Sequence, residues 1–265
     1  TAAEVGCNTF LLEEKETLGG LAAEISKIPA KKRLADFPHY LEHRAAGLDN
    51  LYILTGTQAT PENIRKFHPN IIVSSTGSAP LLPPIAGLKD RIDNENHNIY
   101  SILGMISHIN DFPKDLEGKK VVVVGGGAVG LDVVEFFADR NADISIVEMM
   151  DQIGRDLDPV SKNDTKTMMK KHNVHQLTKT ALLEVKDSSF LVRGDGEPYE
   201  LPFEYGFVCL GMRAQGQLYQ NLTEEFSSED VEIMNIGDSQ RARRIIDGTQ
   251  EGRNILTILE QKGYL

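Results

Sequence analysis

One stretch of the chain constrains the fold more than any other, residues 119–148, which read KKVVVVGGGAVGLDVVEFFADRNADISIVE. Val121 to Val124 form a short β-branched run, typical of a strand buried on both faces of a parallel sheet. This run leads directly into a G-x-G-x-x-G segment at 125–130. Apolar residues at helical spacing follow, and a second strand, Asp143 to Val147, ends in Glu148. This order predicts a β-α-β unit that binds a dinucleotide.

Each position of this segment has a physical task. Gly125 allows the tight turn from strand to helix, Gly127 lets a pyrophosphate approach the backbone, and Gly130 lets the helix pack closely on the strand. The start of the helix offers free N–H groups and the positive end of its dipole to the phosphates. Glu148 is expected to accept hydrogen bonds from the ribose hydroxyls and to repel a 2′-phosphate, which favours NADH over NADPH. The predicted NAD(H) site comprises Gly125, Gly126, Gly127, Ala128, Val129, Gly130 and Glu148.

The first twenty residues, TAAEVGCNTFLLEEKETLGG, repeat the second half of that unit. At an offset of 135 positions, Glu13 falls on Glu148 and Leu12 falls on Val147. The leading strand and Gly-rich loop of this first copy would lie before residue 1. We therefore expect the chain to begin inside a first dinucleotide-binding unit, although an accidental register remains possible because a helix, a strand and an acid often follow one another.

Charge and cysteine content exclude several classes of function. The net charge is −11, which disfavours nucleic acid and anionic membranes as partners. The chain has two cysteines, Cys7 and Cys209, far apart in sequence. This spacing excludes a redox-active dithiol and a thiolate metal or iron–sulfur site built by the chain alone, and it favours a reduced, cytoplasmic setting.

Two further patterns can each be interpreted as a ligand-binding site or as ordinary surface structure. Arg241, Arg243 and Arg244 could contact a pyrophosphate, or they could begin a solvated helix. His172 and His175 are spaced like metal ligands on a helix, but no third ligand is near, so we predict a surface turn and no metal site. No arrangement of a nucleophile and a base is visible, and we predict no catalytic side chains.

Several stretches carry a resemblance to a known family. Besides the segments above, these are STGSAPLLPPIAG, CLGMRAQ and IGDSQRARRIIDGTQEG, which begin near residues 75, 209 and 236. The chain resembles the FAD/NAD(P)-binding region of the NADH:flavin oxidoreductases related to old yellow enzyme, a group that includes 2,4-dienoyl-CoA reductase, 2-enoate reductase and trimethylamine dehydrogenase. More broadly, it resembles the flavoprotein disulfide reductase fold.

The resemblance implies an α/β fold of two Rossmann-like dinucleotide-binding domains, each with three layers and a parallel sheet. The first domain would be discontinuous and truncated at its N-terminus, and would bind FAD or ADP with residues 1–105 and 215–265. Residues 106–214 would form the NAD(P)-binding domain.

The resemblance also implies roles for residues outside the Gly-rich segment. Glu13 matches the acid that binds the adenosine ribose of the first nucleotide, and Thr76-Gly77 matches a turn that passes near this nucleotide. Gly237-Asp238 matches a pair whose acid meets the ribityl or pyrophosphate region, and Gly211 matches a glycine that closes over the NAD(P) pocket. Ser75 stands where the family usually has alanine.

By the same resemblance, NADH would pass a hydride to the flavin N5. Electrons would continue through a 4Fe-4S cluster to FMN in a flavin barrel of the same polypeptide, where an enoate or dienoyl-CoA is reduced at its C=C bond. The expected partners are NADH, this barrel and, in some assemblies, further copies of the chain, and the isolated chain is not expected to be active alone. One alternative is a non-redox module that holds ADP, as in trimethylamine dehydrogenase. Another is a relative of NADH oxidases or ferredoxin reductases.

Overall fold

The computed structural model describes residues 1–264 of the chain and shows the predicted α/β fold. The strands are β1 Thr9–Leu12, β2 Leu51–Leu54, β3 Ile71–Ser74, β4 Ser78–Pro80, β5 Ile99–Tyr100, β6 Lys120–Val124, β7 Asp143–Val147, β8 His175–Leu177, β9 Ala181–Val185, β10 Ser189–Arg193, β11 Tyr199–Pro202, β12 Tyr205–Val208, β13 Met212–Ala214 and β14 Glu232–Asn235. The α-helices are α1 Gly20–Ile25, α2 Asp36–Ala45, α3 Pro61–Arg65, α4 Leu88–Arg91, α5 Ile102–Ser107, α6 Ala128–Ala138, α7 Pro159–Lys171, α8 Gln217–Glu225, α9 Ile245–Arg253 and α10 Ile255–Gln261. Short 3₁₀ helices cover Ala3–Val5, Pro29–Ala35 and Gly237–Ser239.

The chain divides into two compact units. The first comprises 1–26, 31–79 and 212–265, and is therefore discontinuous, while the second comprises 27–30 and 80–211. The family resemblance implies domain boundaries at 105 and 214, whereas the compact units of the structure meet at 79/80 and 211/212. The stretch 80–105 lies in the second unit because β5 pairs with β12 of that unit.

The centre of the second unit is a five-stranded parallel sheet with the strand order β5-β12-β6-β7-β8. Its central strand β6 is the valine run, and Val121 and Val123 are fully buried. Strands β6 and β7 pair over their whole length, from Lys120 opposite Asp143 to Val124 opposite Val147. A run of β-branched residues suits this position because both faces of the strand are covered.

Helix α6 covers one face of the sheet and a second, antiparallel sheet covers the other. Val133, Val134 and Phe137 of α6 are buried, and the Phe137 ring lies 4.8 Å from the Phe207 ring on β12. The antiparallel sheet has the order β11-β10-β9, and its Phe190 packs in one hydrophobic cluster with Val124 of β6. The unit therefore has three layers, the number that the family resemblance implies for a Rossmann-like domain, although nothing in the sequence predicts that one of them is an antiparallel sheet.

The first unit contains parallel strand pairs rather than one continuous sheet. Strand β1 pairs with β2, and β3 pairs with β14, both in parallel register. A third two-stranded sheet joins β4 to β13. The hydrophobic cluster of this unit consists of Ile64, Ile72, Leu222 and Phe226, from α3, β3, α8 and the residue that follows α8. No helix within residues 1–264 is both long and apolar enough to span a bilayer.

Candidate dinucleotide-binding site

The Gly-rich loop lies at the carboxyl end of β6, in the centre of the five-stranded sheet. From β6 the chain proceeds to β7 and β8 on one side, and later returns to β12 on the other side. Gly125 N–H donates to the Val147 carbonyl (2.8 Å), and Cys209 N–H donates to the Val124 carbonyl (2.7 Å). The loop therefore occupies the switch point of the strand order, where open α/β sheets bind their ligands.

Two of the loop glycines are explained by contacts with the protein itself. Gly125 has φ +110°, and a Cβ there would lie 2.1 Å from the Cys209 carbonyl oxygen. A Cβ on Gly130 would lie 1.9 Å from the Gly125 carbonyl oxygen. Gly125 thus permits the turn, and Gly130 permits the close approach of α6 to that turn, as the sequence predicts.

Gly127 differs from these two glycines. It has φ −79°, which any residue adopts, and a Cβ there would have no heavy atom of the described residues within 4 Å. Gly127 is also the N-cap residue of α6, and no side chain caps this helix start. The absence of a side chain therefore leaves open space at the positive end of the helix dipole, which is the arrangement that admits an anion.

Glu148 holds the loop as well as facing the predicted ribose position. Its Oε2 accepts a hydrogen bond from Gly126 N–H (2.6 Å), and its Oε1 accepts one from Met150 N–H (2.8 Å). A Cβ on Gly126 would lie 2.9 Å from Oε2, so a side chain there would displace the Glu148 carboxylate from this contact. The sequence predicts Glu148 as a ribose acceptor, and its bond to Gly126 is an additional role that spacing alone did not reveal.

The segment after β7 is also tied to the Gly-rich loop. Gly154 N–H donates to the Gly126 carbonyl at 2.7 Å. Further along, Asp158 caps α7 by accepting from Val160 N–H and Ser161 N–H. Hydrogen bonds from Ser161, above all that of its hydroxyl, lower the pKa of Asp158, so this carboxylate stays charged as a cap. The turn at 151–157 is thus fixed at both ends.

Cys209 and Gly211 follow β12 at the same edge of the sheet. The Cys209 side chain is 6% exposed, and burial raises the pKa of its thiol to about 12, with smaller effects of Asp132 and Asp93. Cys209 is therefore a thiol and not a nucleophilic thiolate at neutral pH. Gly211 has φ +102°, and a Cβ there would meet no described heavy atom within 4 Å. The structure thus places Gly211 at the edge that carries the Gly-rich loop.

The first unit repeats the hydrogen bonds around Glu148 at Glu13. Oε1 of Glu13 accepts from Lys15 N–H (2.9 Å), as Glu148 accepts from Met150. Glu13 N–H donates to the Leu54 carbonyl (3.0 Å), and Glu148 N–H donates to the Leu177 carbonyl (2.9 Å). The register of 135 positions is therefore a structural repeat and not an accident of sequence.

The other predicted residues of the first unit lie in two turns, at Thr76-Gly77 and at Gly237-Asp238, and Ser78 next to the first turn contacts the second. Oδ2 of Asp238 accepts from the Ser78 hydroxyl (2.9 Å), and Oδ1 accepts from Arg243 N–H (2.9 Å). The hydroxyl of Thr76 donates to the Gln215 carbonyl (2.5 Å), and Gln215 N–H donates to the Gly77 carbonyl (2.9 Å). Within residues 1–264, no hydrogen bond joins Glu13 to either of these turns.

Glu251 is a residue of this region that sequence reasoning missed. Its Oε2 accepts from Gly237 N–H (2.6 Å), and it forms an ion pair with Arg243. The Gly237 N–H, followed by Arg243, lowers the pKa of Glu251. Arg243 is therefore part of the fold, whereas the Arg244 side chain is 85% exposed. No sequence signal identifies Glu251, because it lies fourteen residues from its partner on the surface of α9.

The two histidines considered as metal ligands lie in the second unit. Nε2 of His175 lies 3.4 Å from Oδ1 of Asp143. No group of three or more His, Cys, Asp or Glu side chains that could hold a metal ion is present in the part of the chain that the structure describes.

Known proteins are similar to the chain along most of its length. An NADH oxidase from Thermoanaerobacter brockii is 28% identical over 255 residues, which cover 95% of this chain. A metal reductase from Desulforamulus reducens is 26% identical over 289 residues, which cover 96% of this chain. The chain spans 37% and 40% of the lengths of these two relatives.

A solved structure has the same fold. It is a complex of a 2-naphthoyl-CoA reductase with 2-naphthoyl-CoA, and it matches with a TM-score of 0.79 at 21% identity, covering 95% of this chain and 36% of that one. A family model described as pyridine nucleotide-disulphide oxidoreductase matches residues 10–234. With the Gly-rich loop at the switch point and Glu148 at the end of β7, this match shows that the chain belongs to the pyridine nucleotide-disulphide oxidoreductase family.

Proposed function

We propose that the second unit binds NADH as the electron donor of a flavin-linked oxidoreductase. The observation that carries this proposal is the contrast between Gly127 and the other loop glycines. Gly125, Gly126 and Gly130 each avoid a clash with protein atoms, whereas a side chain at Gly127 would enter open space. A pyrophosphate against Gly127 and the first turn of α6 accounts for this glycine.

In this proposal the residues of the chain bind and orient the donor. Backbone N–H groups of 127–130 donate hydrogen bonds to the phosphates. Glu148 accepts hydrogen bonds from the ribose hydroxyls with the lone pairs that are not used by Gly126 N–H and Met150 N–H. When bound, the nicotinamide supplies a hydride and a flavin accepts it. Cys209 takes no part, because its thiol stays protonated. The absence of a catalytic side chain in the proposal is consistent with cofactors that carry the chemistry.

We propose that the first unit holds the second nucleotide, FAD or ADP. Glu13 stands where Glu148 stands in the repeat, and its carboxylate holds the same kind of turn. Thr76, Gly77, Gly237 and Asp238 would line the rest of this site. Gly77 has a left-handed backbone (φ +76°) that favours glycine, and a Cβ there would meet nothing within 4 Å among the described residues, so the space beside this turn is open.

The electron acceptor in the whole protein is a separate part of the proposal. Two of the relatives that cover nearly all of this chain are named for an oxidase and for a metal reductase. Because enzymes named for different electron acceptors share this segment, the segment is expected to bind the electron donor. By the family resemblance, we propose a flavin barrel of the same polypeptide, with FMN and a 4Fe-4S cluster, that reduces an enoate or dienoyl-CoA type C=C bond.

Calorimetric titration of the chain with NADH, NADPH, ADP and FAD tests the donor role. Tighter binding of NADH than of NADPH is expected, and Glu148→Ala should remove that margin. Because Glu148 also holds Gly126, the ratio of the two affinities is the informative quantity: a loosened loop weakens both nucleotides equally. Binding of ADP without NADH would contradict electron entry and support the ADP-holding module. Binding of none of the four would reject both assignments.

A further inference from the structure

The structural repeat extends to a short turn that differs by one residue between its two copies. Residues 54–57 read Leu-Thr-Gly-Thr, and residues 177–180 read Leu-Thr-Lys-Thr. In the first copy, Gly56 N–H donates to the Lys15 carbonyl (2.9 Å) and Thr57 N–H donates to the Glu13 carbonyl (2.8 Å). In the second copy, Lys179 N–H donates to the Met150 carbonyl (2.9 Å) and Thr180 N–H donates to the Glu148 carbonyl (2.9 Å).

The side-chain hydrogen bonds of the two turns agree as well. The hydroxyl of Thr57 donates to the Thr55 carbonyl (3.1 Å), and the hydroxyl of Thr180 donates to the Thr178 carbonyl (3.0 Å). The two copies are thus the same turn, built beside the acid of each unit. The residue at its tip is glycine in one copy and lysine in the other.

That tip residue has a left-handed backbone in both copies. The φ angle is +59° at Gly56 and +52° at Lys179. Glycine adopts this conformation freely, and asparagine tolerates it, but a lysine there is strained. Strain of this kind persists where the surrounding structure over-determines it, and it is concentrated at ligand sites. The fold of the turn does not require lysine, because the first copy forms the same turn with glycine.

The Lys179 side chain starts next to the turn that carries Glu148. Its backbone hydrogen bond to Met150 places its Cα beside residues 148–150, and a lysine side chain reaches roughly 6 Å. Within residues 1–264 its ammonium forms no ion pair, although Glu148 and the exposed Asp151 are the acids of the facing segment. An exposed cation is therefore free to meet an anion at the predicted adenosine ribose.

We propose that Lys179 is a specificity residue that lets the nucleotide site accept a phosphate on the ribose 2′-oxygen. This inference rests on the proposed nucleotide site at Glu148 and Gly127. Glu148 opposes a 2′-phosphate by charge repulsion, and Lys179 offsets that repulsion. The site then takes NADH first and NADPH as a second donor, and the balance of these two side chains sets the ratio of the two affinities.

Titration calorimetry of the chain with NADH and NADPH tests this inference in Lys179→Gly, Lys179→Asn and Lys179→Arg. Glycine and asparagine suit the left-handed backbone, so neither variant is expected to unfold the turn. Both variants should weaken NADPH binding about fivefold relative to NADH binding, a change that corresponds to the free energy of an exposed ion pair. Lys179→Arg keeps the positive charge and should keep the ratio of the unaltered chain. The effect should shrink as salt concentration rises.

The control is Lys166→Gln, which removes one positive charge on the surface of α7 and should leave the ratio unchanged. An unchanged ratio in Lys179→Asn would overturn the inference, and so would an equal loss of both nucleotides, since that would mean a general effect on the turn. These outcomes leave NADH binding, and hence the proposed function, in place. If the unaltered chain binds neither nucleotide, the proposed function fails and this inference fails with it.

Discussion

The pair Gly127→Ala and Gly130→Ala separates ligand binding from folding within one loop. A Cβ on Gly130 would lie 1.9 Å from the Gly125 carbonyl oxygen, and such contacts are essentially never closer than 3.0 Å. Helix α6 and the turn must therefore move apart by about an ångström. Because both sides of the contact are backbone, the cost is expected at the upper end of the range for overpacking, about 3 kcal/mol.

Gly127→Ala should have little effect on folding. Its φ of −79° suits alanine, and the new methyl group would meet nothing among the described residues. The lower entropy of the unfolded chain favours alanine by about 0.4–1 kcal/mol, whereas alanine is a poorer N-cap residue than glycine by a similar amount. We expect stability within about 1 kcal/mol of the unaltered chain. The methyl would stand where the pyrophosphate approaches, and NADH affinity should fall at least about tenfold.

Thermal unfolding followed by circular dichroism, together with NADH titration, measures both quantities. Gly130→Ala should lower the unfolding midpoint by roughly 6–12 °C, and Gly127→Ala by no more than a few degrees. The reasoning is refuted if Gly127→Ala binds NADH as tightly as the unaltered chain. It is also refuted if the two variants lose stability equally, because the space beyond Gly127 would then be needed for folding.

Three further predictions concern groups outside the loop. At pH 8, Cys7 should react with a thiol reagent while Cys209 stays unreactive until the chain is unfolded, because Cys209 is buried with a pKa of about 12; equal rates for the two thiols in the folded chain would contradict this. The lowered pKa of Glu251 stabilises the fold above its unfolded pKa, and this contribution is lost as the pH falls through the folded pKa, so Glu251→Gln should flatten the loss of stability in urea unfolding between pH 7 and 3. Ser101→Ala removes the N-cap of α5 and should cost about 1 kcal/mol or more in urea unfolding, whereas Ser107→Ala at the exposed end of the same helix should cost less.

Local patterns predicted the elements that carry the site. The predicted bounds Asp143 to Val147 agree with β7, and the predicted repeat agrees with β1, which ends at Leu12 directly before Glu13 as β7 ends directly before Glu148. The apolar run Phe207 to Leu210 extends two residues beyond the end of β12, which runs from Tyr205 to Val208. Cys209 is buried directly after the strand and Leu210 packs against the hydrophobic cluster of this unit, so both remain apolar beyond its end.

What the sequence did not predict is mostly contact between distant turns. The bonds from Ser78 to Asp238 and from Gly154 to Gly126 join short segments that have no hydrophobic periodicity. Local sequence patterns reveal neither the antiparallel sheet β9–β11 nor the break at Asn254 between α9 and α10. Such features depend on which loops the tertiary fold brings together, and hydrophobic spacing carries no information about that.

The hydrogen bond between Glu148 and Gly126 has a consequence for the energetics of association. The Glu148 carboxylate binds the N–H of Gly126, and Gly154 N–H binds the carbonyl of Gly126. The loop therefore has its shape before a nucleotide binds. A preorganised loop loses little conformational entropy on binding, and association should then be limited by diffusion and orientation instead of by loop ordering. Glu148 would then determine both the nucleotide specificity of the site and the rate at which the nucleotide associates.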